Sequence, residues 1–426
     1  MLKTQQIYQL QDKEDFLSKA LHWAVQFEHL AYFGHNDIPY PHKGFREILA
    51  IGAKELCIPS ASEDRFQALA DFHQDQWIFG YLGYDLKNDV EALNSENIDR
   101  LGFPEMAFFK AEHLLFFDGD SVEIESDMPG LFQQIEDLEY LPASSHFGPI
   151  EAGMKREEYL DIAQKLRGHI EEGDCYEINL CQEFYGAINQ ASPADLFIKL
   201  NELSPKPFAS FQKWQDQYII SASPERFLKK TGRQLISQPI KGTRPRGQNE
   251  VEDARLAHEL RHDEKELAEN MMIVDLVRND LARSAETGSV KVEEMFGIYP
   301  FRQVHQMIST ISAQLRTEVP FTQAIKNAYP MGSMTGAPKV KVMELIEQYE
   351  KAKRGPFSGA AGYISSEGDF DFNVLIRSLF LDLEKALYQF QVGSAITYDA
   401  VPEKEYEECL IKAQAIRQLL GLPPSR

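Results

Sequence analysis

Cysteine is scarce in this 426-residue chain, and its four copies, Cys57, Cys175, Cys181 and Cys409, follow neither CxxC nor zinc-type spacing. A disulfide framework or a thiolate metal site is thereby excluded as the organising chemistry, and reduced structural thiols are expected. Long apolar runs are missing too. None approaches the roughly 20 residues of a membrane helix, and the opening MLKTQQIYQLQDKEDF lacks the apolar core of a signal peptide. A cytoplasmic protein with no membrane partner is expected. Positive charge is in deficit: 44 basic against 66 acidic residues leave a formal net charge of −22, a field that repels nucleic acid and anionic membranes alike. No nucleic-acid partner is expected, and an anionic ligand must be captured by local groups. There is no internal repeat or low-complexity tract, and the glycine-rich YPMGSMTGAPKV does not match the phosphate-loop spacing G-x-x-x-x-G-K-[ST].

What is present is enough apolar residue, 43% of the chain, to bury a large core. Proline, serine and glycine gather without periodicity in LPASSHFGPIEAGM, residues 141–154. A boundary placed there separates an amino-terminal region, 1–144, from a carboxyl-terminal region, 145–421. Upstream, WIFGYLGYD and residues 106–117 carry the aromatic weight of buried strands, and residues 14–27 read as helical. Downstream, Tyr159, Ile162, Ala163, Leu166 and Ile170 fall at helical spacing up to Gly173. The strand GDCYEINLCQEF then turns Tyr176, Ile178 and Leu180 one way and Glu177, Asn179 and Cys181 the other. Its polar face either lines a cleft or meets solvent.

The chemistry-bearing groups stand further along. YIISASPERF delivers Glu225 from a strand end into a turn. PIKGTRPRG sets Lys241 before a Gly242–Thr243 turn and two arginines, a cluster suited to an anionic substrate and, through the lysine, to covalent attack. Taken alone, a lysine beside Gly and Pro is an ordinary loop residue. Residues 263–285 read as a long helix with Leu267, Met271, Val274 and Leu281 inward, and Glu266 and Glu269, three apart, share one of its faces. Glu405 and Glu408 repeat that geometry on a helix opened by Pro402, running toward Leu420 and closed by Gly421. Four carboxylates suit a hard divalent cation such as magnesium, provided the helices meet; Glu408 equally serves an ion pair with Lys412, four residues on. YPMGSMTGAPKV offers a helix N-terminus able to hold a carboxylate. The hairpin GYISSEGDFDFNVLIRSLFLD puts Arg377 on the face of Leu375 and Leu379, where it needs a carboxylate from the protein or from a ligand.

GDCYEINLCQ, SPERF, PIKGTRPRG, KELAENMMIVDLVRNDLAR, VHQMIS, YPMGSMTGAPK, RGPFSGAAGY, IRS and EKEYEE follow one another as in the chorismate-utilising enzymes. From about residue 145 to 420 the chain resembles the anthranilate synthase and aminodeoxychorismate synthase component I family. The resemblance implies an α+β fold, an α/β sandwich of two large, mostly antiparallel sheets flanked by helices, with both chain halves contributing. Lys241 stands after Pro-Ile, where anthranilate synthases and isochorismate-type enzymes carry alanine, and so resembles the aminodeoxychorismate synthases. Asn270, where anthranilate synthases usually show histidine, points the same way.

By that resemblance the chain is expected to aminate chorismate at ring carbon 4, giving 4-amino-4-deoxychorismate for para-aminobenzoate and folate biosynthesis. Glu225 is the implied general acid and Lys241 the implied nucleophile toward ring carbon 2, while His305 matches a family histidine near the ring whose role stays open. Magnesium is the implied cofactor, held by Glu266, Glu269, Glu405 and Glu408. Gly242, Thr243, Tyr363, Arg377, Gly393, Ser394, Ala395 and Lys412 match substrate-binding positions. Lys241 must be neutral to attack, and desolvation or the nearby Arg244 and Arg246 are expected to favour that form. No glutaminase nucleophile motif is visible, so the ammonia is expected from a separate glutamine amidotransferase subunit. Glu177 departs from the family, whose aminating members usually have glutamine there. Two alternatives remain: an anthranilate synthase component I, aminating carbon 2, and a non-catalytic chorismate-binding subunit, against which stands the retention of Glu225, Lys241 and all four glutamates.

Overall fold

The computed structural model describes residues 4–422; residues 1–3 of the amino-terminal region lie outside the described residues. Its strands pair antiparallel along two runs that share one long strand, Met106–Asp118. One run passes from that strand through Ile48–Cys57, His29–Gly34, Phe208–Trp214, Gln217–Ser223, Ser378–Asp382 and Leu387–Ile396 to Glu177–Gln190. The other passes through Ile78–Leu82, Ala360–Ile364, Phe370–Asn373, Arg226–Thr231 and Gln234–Gln238 to Val304–Gln314. The two sheets of the sandwich are therefore one hydrogen-bonded network of 21 strands. Strands from either side of residue 145 alternate within it, His29–Gly34 against Phe208–Trp214 and Ile78–Leu82 against Ala360–Ile364.

Strand alternation explains the layers. Ala31 and Phe33 point into one apolar cluster together with Phe79, Tyr81 and Phe372 from the second run, which makes it the filling between the sheets. Leu30 and Tyr32, on the opposite face, join a second cluster with Phe16, Tyr159 and Phe197. Those three come from the helices Lys13–Ala24, Arg156–Glu171 and Pro193–Leu203, which flank that sheet.

Three local expectations change. The helix Glu264–Ala282 buries Glu269, Asn270, Ile273, Val274 and Val277, whereas Met271 is 48% exposed. Polar groups of the site thus occupy part of the inward stripe and rotate the helix away from its purely apolar phase. The helix begun by Pro402 ends at Lys412, and a separate one, Gln414–Leu419, follows Ala413. Arg377 does not share a strand face with Leu375 and Leu379. The chain crosses between sheets after Asn373, so Leu375 enters the inter-sheet cluster and Leu379 the outer one. Arg377 makes that crossing in the left-handed region, at φ 54.

Candidate active site

Lys241 owes its aim to a bulge. In the strand Ile240–Pro245, Ile240 lies opposite Ile308 and Thr243 opposite Gln306, so one residue more is accommodated on this strand than on its partner. Gly242 takes the strain at φ 97, and a bulge of this kind re-aims the neighbouring side chain. The expected glycine-threonine turn is thus a kinked strand. Lys241 Nζ donates to Glu177 Oε1 at 2.6 Å, and Glu177, 1% exposed, is buried and not on a half-exposed strand face. Its other oxygen is buried without a partner. Asn270 holds the bulge from beneath, donating to the Lys241 carbonyl at 3.3 Å and accepting from Ser309 Oγ at 2.6 Å.

The expected neutral lysine is corrected by its surroundings. Burial alone would lower its proton affinity, but the Glu177, Glu269 and Glu408 carboxylates outweigh burial and raise it above the ordinary value. The arginines expected to discharge it are themselves neutralised, Arg244 by Asp263 at 2.6 Å and Glu266 at 3.0 Å, Arg246 by Asp253 at 2.7 Å.

Glu225 follows the strand Gln217–Ser223 and Pro224, and is buried, whereas a carboxylate at such a strand end more often faces solvent. Burial pushes its carboxyl up to about 7, against the opposing pull of Ser333 and Lys241. His305 Nε2 lies 2.8 Å from Asp253, and its Nδ1 is buried without a partner.

The two glutamate pairs do converge. Lys265 Nζ lies 3.6 Å from Glu269 and 3.4 Å from Glu405, so the helices Glu264–Ala282 and Pro402–Lys412 meet around it. Ser394 Oγ donates to Glu405, and Lys412 Nζ reaches both Glu408 at 2.6 Å and the Gly393 carbonyl at 2.9 Å. The ordinary Glu408–Lys412 ion pair is therefore present within the cluster. Burial raises Glu266, and raises Glu269 to about 7. Burial would raise Glu408 as well, but Lys412 and Lys241 hold it down at about 2. Glu269 Oε1 is buried without a hydrogen-bond partner. An oxygen-only donor set suits a hard divalent cation, and in this structure Arg244, Lys265 and Lys412 already stand within ion-pair distance of the four carboxylates.

Of the other expected positions, Gly242 abuts Glu266, Leu260 and Met307, so that a Cβ there would lie 3.2–3.3 Å from each. Thr243 is exposed. Gly393, Ser394 and Ala395 lie opposite Cys181, Leu180 and Asn179 on the neighbouring strand. Arg377 donates to the Lys412 carbonyl at 2.7 Å, and burial lowers its pKa to about 10. Tyr363 is the exception. Its ring packs in the inter-sheet core against Phe33 and Trp77, and its hydroxyl accepts from the Arg46 amide at 2.8 Å. Sequence reasoning missed Lys265, although its spacing of four from Glu269 was visible.

Comparisons with known proteins complete the picture. A family model described as chorismate binding enzyme matches residues 32–418. Anthranilate synthase component 1 of Thermus thermophilus is 34% identical over 354 residues, covering 80% of this chain and 76% of its own. Aminodeoxychorismate synthase component 1 of Escherichia coli is 34% identical over 347 residues, with the same two coverages of 80% and 76%. Among solved structures, anthranilate synthase component I from Streptococcus pneumoniae matches with a TM-score of 0.78 at 26% identity, covering 90% of this chain and 93% of that one. The menaquinone-specific isochorismate synthase of Escherichia coli shares the fold, with a TM-score of 0.77 at 18% identity over 98% of this chain and 95% of its own.

Proposed function

The chain belongs to the chorismate binding enzymes, and from that premise we propose that it aminates chorismate at ring carbon 4, using ammonia from a glutamine amidotransferase subunit. Overall similarity does not decide between the two aminating reactions, because one relative of each kind is 34% identical. The observation that carries the choice is Lys241, aimed by its bulge at Glu177 within the carboxylate cluster.

In this mechanism Glu177, 2.6 Å away, takes the proton that Lys241 must lose. The freed amine bonds to ring carbon 2, both ring double bonds shift by one position, and the carbon 4 oxygen departs as water with the proton of Glu225. A carboxyl held at about 7 can supply that proton near neutral pH. Ammonia then adds at carbon 4, both double bonds return, and Lys241 leaves carbon 2 as the free amine. Parking a nucleophile at carbon 2 directs nitrogen to carbon 4. Magnesium, when bound by Glu266, Glu269, Glu405 and Glu408, supplies the positive charge that neutralises the ring carboxylate. All four cysteines are free and buried, which supports a nitrogen source on another chain.

Mass spectrometry tests the covalent step. Incubation with chorismate and magnesium but no ammonia should leave an adduct on Lys241, absent in Lys241→Ala, whose amination should fall at least about 100-fold. A product that fluoresces as anthranilate without added lyase indicates carbon 2 amination instead. No adduct, together with full activity in Lys241→Ala, rejects the covalent route.

A further inference from the structure

The strand that carries Glu177 is covered differently along its two edges. On one edge, residues 178–187 pair without a break with Leu387–Ile396. On the other, Ile178 and Glu177 meet Gly336 and Ala337, and Tyr185 and Phe184 meet Glu151 and Ala152. Between those two short pairings the Asn179 amide finds the Thr335 carbonyl at 2.8 Å. The next two backbone groups are met by side chains instead of a strand: Arg354 donates to the Asn179 carbonyl at 2.9 Å, and Glu350 accepts from the Cys181 amide at 2.9 Å. A buried backbone group left unpaired costs about as much as a lost hydrogen bond, so this ion pair completes the sheet.

Arg354 does more than close that gap. It is 2% exposed, and its fork grips both oxygens of Glu350, Nε at 2.9 Å and Nη2 at 2.6 Å. Its Nη1 donates to the Met334 carbonyl at 2.6 Å, so one guanidinium ties the strand to the turn Gly332–Met334. That turn carries Ser333, beside Glu225. The joint is tight: Asn179 Nδ2 donates to the Ser333 carbonyl at 3.3 Å, and a Cβ on Gly336 would lie 2.0 Å from the Glu177 carbonyl. Tyr84, from the GYLGYD segment of the amino-terminal region, covers the guanidinium with its ring at 4.6 Å, and its amide donates to the Gly355 carbonyl at 2.7 Å.

Glu177 and the Ser333 turn beside Glu225 therefore sit on either side of one joint. We propose that Arg354, clamped by Glu350 and Tyr84, is a positioning residue for amination, setting the spacing between the strand that bears Glu177 and the turn that bears Ser333. A lysine in its place keeps the charge and loses the planar fork. The inference rests on the base and acid roles given above to Glu177 and Glu225, and not on which ring carbon is aminated.

The test separates kcat from KM. Full-length wild type, Arg354→Lys and Glu225→Gln are assayed with magnesium and free ammonia, each well below its melting temperature, by the disappearance of chorismate. Rates are taken per folded molecule. Arg354→Lys should lose about 100-fold in kcat, as expected when reacting groups shift by about 1 Å, while its chorismate KM changes less than about threefold. A lower melting temperature with wild-type kcat would make Arg354 a purely structural residue and overturn the proposal, provided Glu225→Gln is inactive. A loss confined to KM overturns it too, since it would place Arg354 in substrate binding. Wild-type kcat in both Arg354→Lys and Glu225→Gln would remove the acid and base roles themselves, and this inference with them. Should Arg354→Lys not fold, Glu350→Gln, which loosens the same fork, carries the comparison.

Discussion

Glu225 shows how one residue is tuned by its setting. Its carboxyl keeps a proton up to about pH 7 in the folded protein, against 4.5 for the ordinary side chain. As a general acid it works only when protonated, so the rate of adduct formation should fall as pH rises through about 7. Glu225→Gln should reduce that rate by roughly 100- to 10,000-fold and remove this limb of the profile. Stability follows the same proton. The folded state binds it more tightly than the unfolded chain, so stability declines between pH 4.5 and about 7. Glu225→Gln should therefore melt higher than wild type above pH 7, with the gap closing toward 4.5 in calorimetric scans. A variant that melts lower at every pH would show that the carboxyl is not the strained group described here.

At the scale of the element, the bulge at Lys241–Gly242 is what turns a strand residue into a candidate nucleophile. Gly242 sits at φ 97, where an L side chain costs about 1–2 kcal/mol, and a Cβ there would lie 3.2 Å from Glu266 Oε2. Gly242→Ala should lower the denaturation free energy by about that amount. By letting the bulge relax and swinging Lys241 from Glu177, it should also slow amination about 100-fold. Urea titration and steady-state assay check the two halves separately. Wild-type activity in Gly242→Ala would mean that the lysine does not depend on the bulge.

At the scale of the whole molecule, the two runs of strands share Met106–Asp118, and strands from both sides of residue 145 hydrogen-bond in alternation. Residues 145–421 alone would expose the edges of Phe208–Trp214 and Ala360–Ile364, together with the aromatic filling between the sheets. That fragment should be insoluble or lack a cooperative melt, and co-expression with residues 1–144 should restore both. An independently folded, chorismate-binding fragment would contradict this interleaving. No helix among the described residues is long and apolar enough to cross a membrane.

The order of the motifs was legible in the chain itself, because each is a short run of covalently adjacent residues. SPERF, PIKGTRPRG and the two glutamate pairs announced the family, the sandwich and the residues that gather at the site. Through-space quantities were not legible. That Lys265 joins Glu269 to Glu405, that Glu177 and Glu269 keep Lys241 charged, and that Glu225 holds its proton to about 7 depend on distance and burial, which scale the Coulomb and desolvation energies and leave no periodic trace. Tyr363 and Arg377 show the same division. The family resemblance named both residues, but packing put the Tyr363 ring into the core, and the crossing between sheets brought Arg377 to the Lys412 carbonyl.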